Sequence, residues 1–407
     1  MITEMAAKAR EASLELARLT AEQKNRILLD MADSLDKNRG RIIAANNTDV
    51  GNAVGVIKDS LIDRLKLNES RIDLMIESLR QLAGLKDYVG EIISERTLEN
   101  GLVLTEKRVP FGVIGIIYES RPNVTADVCG ICLKSSSAVI LKGGKEAINS
   151  NRVLVGLLSR ACPVKDAFQL VESSDREITA QMMNLTGHID LIIPRGGEGL
   201  IRFVRENSKI PVIETGTGNC HIYLDEEHDP VKALNIIINA KTQRPSVCNA
   251  AEKLLIHKNV GRDFIKKIAG ELKERGVEIL GCERTQKIIG CSAATEKDWH
   301  TEFLDLKIGI KIVDDAEQAI RHINKYGTRH SEAIISNSRE NIDKFLNEVD
   351  AAAVYSNAST RFTDGYEYGL GTEIGISTQK LHARGPMGLK AMTTTKYIIK
   401  GDGQVRE

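Results

Sequence analysis

The chain of 407 residues is long enough for two or three domains, each with a substantial core. Hydrophobic residues make up 42% and charged residues 28% of it, and Lys plus Arg equals Asp plus Glu at 56 each. A formal net charge of zero provides no overall field to attract nucleic acid or an anionic membrane, so we expect neither partner. An anionic small molecule would have to be held by a local cluster of cations.

The N-terminus and the cysteine content favour a cytosolic location. Residues 1–17 mix charges with alanines and contain no apolar core of the secretory type, and no run approaches the roughly 20 apolar residues that cross a bilayer. Seven cysteines are scattered along the chain, and this odd number suits reduced thiols better than a disulfide framework.

Two amphipathic helical regions open the chain, over 3–36 and 68–83. A hairpin over 96–109 follows, because Asn100-Gly101 is a strong hairpin signal when both turn positions take positive φ. The apolar residues at helical spacing are Leu14, Leu16, Ile27, Leu28, Met31 and Leu35 in the first region, and Ile72, Met75, Ile76, Leu79 and Leu82 in the second.

After Pro110, short apolar runs alternate with helical segments, which is typical of parallel, doubly wound sheets. The second set of runs, beyond 220, alternates with helices over 260–275 and 315–326. We therefore expect two α/β domains and one hairpin. The predicted strands are Val113–Tyr118, Ala138–Lys142, Phe168–Val171, Ile189–Ile193, Ile210–Ile213, Leu254–His257, Ile308–Val313, Ala333–Ser336 and Ala352–Tyr355.

Two glycine pairs, Gly143-Gly144 and Gly196-Gly197, lie where a strand should pass into a helix. Glycine lets a phosphate approach the backbone at the positive end of a helix, although neither pair matches GxGxxG and both could be ordinary turns. Lys142 and Lys145 favour the 2′-phosphate of NADP, whereas an acidic residue there would suit NAD. The alternative is that these lysines are merely solvated.

Cys248 is the strongest candidate nucleophile among the cysteines. It lies in the polar segment 241–250, where Arg244 could lower the pKa of a thiol and receive an anionic substrate group. A buried, inert cysteine is the commoner alternative. The other thiols are expected to pack in the core or to be inert: Cys129 and Cys132 in an apolar CxxC stretch, Cys162 at a helix end, and Cys282 and Cys291 beside a loop-like region.

Over nearly its full length the chain resembles the aldehyde dehydrogenase superfamily. Segment 213–220 is similar to the glutamate motif of that family, and Cys248 follows Glu214 at a similar interval. Segment 118–123 resembles the one that carries the oxyanion asparagine, Lys142 falls at the cofactor-ribose lysine, and Gly196-Gly197-Glu198 falls at the pyrophosphate turn.

Two C-terminal segments, 313–327 and 369–386, resemble signatures of the subfamily that reduces γ-glutamyl phosphate. Arg121 stands where aldehyde oxidisers keep an aromatic residue, as an anionic acyl phosphate would favour. The resemblance implies NADPH-dependent reduction of γ-glutamyl phosphate to glutamate semialdehyde through a cysteine thioester, the second step of proline synthesis. It also implies a homo-oligomer, a dimer or a multiple of it, and a functional association with glutamate 5-kinase.

The resemblance assigns a role to each matching residue. Cys248 is the nucleophile, Asn123 an oxyanion donor, and Glu214 a proton-transfer group or a contact of the nicotinamide ribose. Arg121 and Arg244 are expected to receive the phosphate. Residues expected to contact the cofactor are Lys142, Gly143, Lys145, Gly196, Gly197, Glu198 and Glu302, and the loop Asn357, Ser359, Thr360 and Arg361 either holds the amino-acid end of the substrate or forms a satisfied turn.

The expected architecture is α/β, with two doubly wound Rossmann-like domains of the aldehyde dehydrogenase type and an oligomerisation hairpin. We assign 1–95 and 110–216 to an NADP-binding domain, 217–390 to a catalytic domain, and 96–109 with 391–407 to oligomerisation. No metal is expected. Two rival functions are an aldehyde-oxidising dehydrogenase of the same superfamily and a catalytically idle nucleotide-binding scaffold.

Overall fold

The computed structural model describes residues 1–57, 59–173 and 175–406 of the chain. Lys58 and Ser174, in the predicted cofactor domain, and Glu407, in the predicted oligomerisation segment, lie outside the described residues. The chain forms two compact units. Unit 1 comprises Met1–Thr215, Gly369–Gly375 and Met387–Glu407, and unit 2 comprises Gly216–Tyr368 and Ile376–Pro386.

Unit 1 begins with amphipathic helices, as the hydrophobic periodicity predicts. The second helix starts at a capping box in which the side chains of Thr20 and Gln23 each accept the backbone N–H of the other. The predicted apolar positions of both regions are buried, except Leu14, which is 59% exposed. The elements are α1 (Ile2–Leu16), α2 (Ala21–Lys37), α3 (Arg39–Ala53), α4 (Asp59–Leu65), α5 (Glu69–Gly84), β1 (Ile92–Thr97) and β2 (Val103–Pro110).

In its described residues, unit 1 then forms a parallel four-stranded sheet in the order β5-β4-β3-β6. The predicted strand Ile210–Ile213 is wrong: only a single bridge joins Val212 to Ile192, since Pro211 has no N–H with which to extend a ladder. The elements are β3 (Val113–Tyr118), α6 (Asn123–Lys134), β4 (Ala138–Lys142), α7 (Ile148–Ala161), β5 (Phe168–Leu170), α8 (Arg176–Met182), β6 (Leu191–Arg195) and α9 (Glu198–Asn207).

The described residues of unit 2 form a parallel sheet of seven strands in the order β10-β9-β11-β8-β7-β12-β13. Strand β7 was not predicted, and the loop-like region between Cys282 and Cys291 contains helix α12. The elements are β7 (Cys220–Leu224), α10 (Pro230–Thr242), β8 (Ala251–His257), α11 (Arg262–Glu274), β9 (Glu278–Gly281), α12 (Glu283–Ile289), β10 (Ser292–Ala293), α13 (Glu296–His300), β11 (Lys307–Val313), α14 (Ala316–Tyr326), β12 (Ser331–Ile335), α15 (Arg339–Glu348), β13 (Ala353–Ser356), β14 (Ile376–Ser377) and β15 (Gly385–Pro386).

The predicted hairpin is present, and a third strand, β16 (Thr393–Lys400), pairs antiparallel with β2 along its whole length. The predicted turn geometry is wrong. Gly101 has a φ of +83°, whereas Asn100 is not among the residues with positive φ. The N–H of Gly101 donates to the carbonyl of Leu98, and the N–H of Leu98 donates to that of Leu102. A turn followed by one left-handed glycine therefore closes the loop.

Candidate active site

Cys248 lies in the turn over 243–250 that precedes β8, and its side chain is partly exposed. Burial raises the pKa of four buried thiols and of the partly exposed Cys291, which makes them poor nucleophiles. Cys282 differs from these thiols: burial raises its pKa, but hydrogen bonds with Thr285 and with backbone N–H groups outweigh that effect and lower it. The four buried thiols are Cys129, Cys132, Cys162 and Cys220.

The backbone of Cys248 is fixed by the chain that leads into β7. The buried thiol of Cys220 donates a hydrogen bond of 3.1 Å to the Cys248 carbonyl oxygen. Gly218 packs so closely on the same peptide that an added β-carbon would lie 1.4 Å from that oxygen. The N–H of Gly218 donates to the Glu302 carboxylate at 2.6 Å, so Glu302, the predicted ribose contact, is bonded to the glycine that packs on the Cys248 peptide.

Buried charges hold the loop that carries Glu302. The carboxylate of Glu252 accepts the backbone N–H groups of Phe303 and Leu304 at 3.1 and 3.2 Å, and Lys241 Nζ lies 3.3 Å from it. Both side chains of this ion pair are fully buried. Burial raises the pKa of Glu252 to about 7 and lowers that of Lys241.

A third buried charge, Lys253, ties the same loop to β7. Its Nζ donates to the Asn219 side chain at 2.7 Å and to the Thr301 carbonyl at 2.8 Å, and it lies 4.3 Å from the centre of the Phe303 ring. Burial lowers the pKa of Lys253 to about 8. Sequence reasoning missed these groups, although charged residues within the apolar run of β8 were a signal.

The loop after β13 lies against the Cys248 turn. Asn249 Nδ2 donates to the Thr363 carbonyl at 2.9 Å, and Thr360 Oγ1 donates to the Asn249 carbonyl at 2.7 Å. Arg361 Nε donates to Gln243 at 2.7 Å. This loop lines part of a cleft of about 200 Å³ bounded by Asn239, Gln243, Arg361, Phe362, Asp364 and Glu367.

Cations gather around the Cys248 turn. Burial, and then the neighbouring Arg244, lowers the pKa of Arg361, while Asp364 and Cys248 oppose that shift. Arg361 therefore interacts electrostatically both with the Arg244 guanidinium and with Cys248. Cations grouped in this way can receive an anionic group.

The side chain of Asn357 is hydrogen-bonded to the backbone of Ser336. Its Oδ1 accepts the N–H of Ser336 at 3.1 Å and its Nδ2 donates to the Ser336 carbonyl at 2.8 Å, with a φ of 52°. Ser359 accepts the N–H of Arg361 at 3.3 Å. Of the polar residues predicted in this loop, Arg361 lines the cleft.

In unit 1, the segment from Tyr118 to Asn123 is held by the first glycine loop. Ser120 has a φ of 43°, and its N–H and hydroxyl both donate to the Glu146 carboxylate at 2.7 Å. Arg121, next in the chain, is partly exposed, and Asn123 begins α6. The Asn123 amide donates to Asp127 at 3.3 Å.

The two lysines of the first glycine loop differ in environment. Lys142 ends β4 and is buried, which lowers its pKa, and its Nζ donates to the Gly143 carbonyl at 3.3 Å. Lys145 is exposed. The Glu146 carboxylate folds back over Gly144, so the acidic residue of this loop is engaged within the protein.

The second glycine pair precedes α9, as predicted. Gly197 is the N-cap of the helix, and its N–H donates to Glu119 at 3.0 Å. A β-carbon at Gly196 would lie 2.4 Å from that carboxylate. Glu198 is exposed in the first turn. The anion-attracting end of α9 therefore already faces a negative charge.

Glu214 lies near the end of unit 1, where Arg205 of α9 lies 3.3 Å from its carboxylate. Unit 2 brings Cys248, Arg244, Arg361 and Glu302 together. Unit 1 links the segment of Arg121 and Asn123 to the glycine loops.

Within the described ranges there is no cluster of three or more His, Cys, Asp or Glu side chains that could hold a metal ion. The same ranges contain no helix long and apolar enough to cross a membrane.

Residues 1–286 match the model of the aldehyde dehydrogenase family. The chain is 53% identical over 411 residues to the gamma-glutamyl phosphate reductase of Carboxydothermus hydrogenoformans, covering 100% of this chain and 99% of the relative. The identity to that of Clostridium botulinum is 54% over 407 residues, with 98% of each chain covered.

The fold is similar to that of solved structures. The crystal structure of the gamma-glutamyl phosphate reductase from Thermotoga maritima matches with a TM-score of 0.96 and 49% identity over 99% of both chains. An acetylating aldehyde dehydrogenase from Geobacillus thermoglucosidasius matches with a TM-score of 0.71 at 18% identity, over 99% of this chain and 97% of that one. The predicted fold class is confirmed.

Proposed function

The chain belongs to the aldehyde dehydrogenase family and, within it, to the gamma-glutamyl phosphate reductases, and we propose that it uses NADPH and a thioester on Cys248. It reduces γ-glutamyl phosphate to glutamate semialdehyde and phosphate, a step of proline biosynthesis. The observation that carries the proposed mechanism is the partly exposed Cys248 thiol, which interacts electrostatically with Arg361 of the cleft, as Arg244 does.

Acylation is the first proposed step. The Cys248 thiolate attacks the γ-acyl carbon, a C–S bond forms, and the bond between that carbon and the phosphate oxygen breaks. Arg244 and Arg361 stabilise the leaving phosphate, and Arg121 is a further candidate for that role. Asn123 and the Cys248 N–H are proposed to donate to the oxygen of the acyl group as negative charge develops on it.

The residues present fit a nicotinamide cofactor with a 2′-phosphate. Lys142 and the exposed Lys145 supply two cations, while Glu146, the acidic residue of that loop, is engaged by Ser120. Gly143 has no room for a β-carbon, which would lie 2.3 Å from the Asn151 amide. The bound cofactor supplies the hydride that converts the thioester to the aldehyde.

The remaining cofactor contacts are also proposals. Gly196, Gly197 and Glu198 at the start of α9 would hold the pyrophosphate, and Glu302 the nicotinamide ribose. Glu214 is assigned proton transfer or a ribose contact, because a base that activated water would hydrolyse the thioester.

The three-stranded sheet is proposed to pair subunits into a dimer or a multiple of one. Its two edge strands carry exposed apolar side chains: Ile92 and Ile93 on β1, and Tyr397 and Ile399 on β16 are each at least 43% exposed. We also propose that the protein is cytosolic and that it associates functionally with glutamate 5-kinase.

The test is the reverse reaction with glutamate semialdehyde. We expect NADP reduction to require phosphate and to vanish in Cys248→Ala, because phosphate must release the acyl group from the thioester. Cys282→Ala is the matched control, since Cys282 is also partly exposed and its pKa is lowered. Turnover without phosphate would indicate aldehyde oxidation, and an active Cys248→Ala would remove the proposed nucleophile.

A further inference from the structure

Asn123 and Asp127 form a hydrogen-bonded pair one turn apart on α6. Asn123 Nδ2 donates to Asp127 Oδ2 at 3.3 Å. An asparagine amide carries two N–H donors on one atom and an acceptor on the other. A carboxylate beside Nδ2 therefore fixes which way the amide is turned, and one N–H of Nδ2 is left for another acceptor.

Asp127 is itself held from a second helix and from the C-terminal signature. The buried Ser78 of α5 donates to Asp127 Oδ1 at 3.0 Å. The Ser78 hydroxyl also lies 2.7 Å from that of buried Thr372, in the segment Gly369–Gly375. Because the Ser78 hydroxyl donates its proton to the Asp127 carboxylate, Thr372 is the donor in the contact between the two hydroxyls. The Asn123 amide and the Ser78 hydroxyl thus both donate to the Asp127 carboxylate, and Thr372 donates to Ser78 in turn.

We propose that Asp127 is a positioning residue for the reduction: as a carboxylate, it orients the Asn123 amide so that the free N–H of Nδ2 serves the acyl oxygen. The proposal rests on the oxyanion role given to Asn123 above. It also gives a function to Thr372 of the C-terminal signature, which supports the carboxylate through Ser78.

The protonation of Asp127 provides a readout that a merely structural carboxylate lacks. Burial raises its pKa to about 6, against the opposing effects of the Ser78 and Asn123 hydrogen bonds and of Arg195 at the end of β6. The other groups that face it, Ser78 and Thr372, do not titrate. Below that pH the carboxyl group carries a proton and no longer compels Nδ2 to face it, so we expect turnover to fall.

The experiment compares Asp127→Ala, Asp127→Asn, Asn123→Ala and the double variant Asn123→Ala/Asp127→Ala in the phosphate-dependent reverse assay from pH 5 to 9. We expect Asn123→Ala to lower kcat about 100-fold and Asp127→Ala about tenfold at pH 8, with small changes in KM. In the double variant, Asp127→Ala should add nothing, because Asp127 acts through Asn123.

Asp127→Asn is the conservative rescue. Its Oδ1 can accept from Asn123 while its Nδ2 donates to Ser78, so we expect most of the activity at pH 8 and no loss of kcat near pH 6. Asp225→Asn, which replaces another carboxylate that accepts from a serine, is the matched control and should keep the wild-type pH profile. If Asp127→Ala does not fold, as monitored by its melting temperature, Asp127→Asn and Ser78→Ala carry the test.

Two results would overturn the positioning role. One is a further tenfold fall in kcat when Asp127→Ala is added to Asn123→Ala. The other is a fall in kcat near pH 6 that is the same in Asp127→Asn as in the wild type. A full kcat in Asn123→Ala alone is a different failure, because it would remove the proposed oxyanion role of Asn123 while leaving the Cys248 chemistry intact.

Discussion

Gly218 lies flat against the peptide of Cys248, with room for hydrogen but not for carbon: a β-carbon at Gly218 would lie 1.4 Å from the Cys248 carbonyl oxygen. Its φ is not positive, so the glycine is required by this close approach rather than by its backbone conformation. The peptide of Cys248 is thus fixed by packing as well as by a hydrogen bond from Cys220.

Gly218→Ala should displace the Cys248 turn. We expect a loss of about 1–3 kcal/mol in the free energy of unfolding and a slower reaction of Cys248 with iodoacetamide, because the new methyl group must move the peptide that carries the thiol. Gly270→Ala in α11 is the control, since no atom lies within 4 Å of its β-carbon, and it should be neutral or stabilising. Equal alkylation rates in the two variants would contradict this account.

The Cys220 thiol should matter for catalysis although its raised pKa keeps it protonated. It donates to the Cys248 carbonyl, so Cys220→Ala removes one constraint on the turn. We expect kcat to fall about three- to tenfold, the equivalent of one hydrogen bond, with the KM for phosphate little changed. Cys220→Ser keeps a donor and should lose less than Cys220→Ala; the reverse order would show that packing, not the hydrogen bond, is what matters.

Replacing Lys241 should destabilise unit 2. Lys241→Met leaves the fully buried Glu252 carboxylate without its closest cation, and breaking a buried pair costs about 3–5 kcal/mol. Chemical denaturation at pH 8 measures the loss. Lys232→Met, on the same helix but 70% exposed, should cost little. Similar denaturation midpoints for Lys241→Met and Lys232→Met would show that the ion pair of Lys241 with Glu252 contributes little to stability.

The same pair has a pH signature. Burial raises the pKa of Glu252 from 4.5 to about 7, so between these values the folded protein holds a proton that the unfolded chain has released. The contribution of this group to the free energy of unfolding therefore falls as pH rises from 4.5 to 7 and is constant above. The difference in the free energy of unfolding between wild type and Glu252→Gln should therefore decrease from pH 4.5 to 7. A difference that does not change with pH would show that Glu252 titrates outside that range.

The elements that the sequence predicted correctly are those whose pattern is local. Helical periodicity identified the buried faces of α2 and α5, and apolar runs identified β3 and β4. The run 210–213 failed because Pro211 ends a ladder, which periodicity does not register. Strand β7 was missed because its fully buried residues include His221, whose polar character breaks the apolar run.

The site was predictable where a motif carries the chemistry. Cys248 and Arg244 were proposed from one polar segment, and the resemblance to the aldehyde dehydrogenase superfamily then favoured Cys248 as the nucleophile. The supporting groups, Glu252 and Asp127, were not predicted, because their partners are distant in sequence: Glu252 accepts from residues 303 and 304, and Asp127 from Ser78. Only the fold brings such pairs together.

Lys145 should set the preference for NADP. It is the exposed cation of the first glycine loop, and a charged hydrogen bond to a phosphate contributes about 1.5–3 kcal/mol. We expect Lys145→Ala to raise the KM for NADP about tenfold or more and to leave the KM for NAD unchanged. Lys165→Ala, another exposed lysine of unit 1, is the control. A similar rise in the KM for both cofactors would mean that Lys145 does not contact the 2′-phosphate.

Glu119 should weaken cofactor binding in the wild-type protein. Its carboxylate accepts the N–H of Gly197 at the start of α9, where the pyrophosphate is proposed to bind, so two anions compete for one helix terminus. Glu119→Gln keeps an acceptor for Gly197 but removes the charge. We expect the Kd for NADPH, measured by fluorescence titration, to fall about two- to fivefold, as the interaction of one charge with a helix end allows.

The control for this effect is Glu206→Gln, which removes an equal charge from the other end of α9 and should leave the Kd unchanged. Raising the ionic strength should reduce the difference in the Kd for NADPH between Glu119→Gln and wild type, because salt screens an exposed charge. Weaker NADPH binding by Glu119→Gln would reverse the interpretation: the carboxylate would then contact the cofactor, and Gly197 would be oriented for that contact rather than blocked by it.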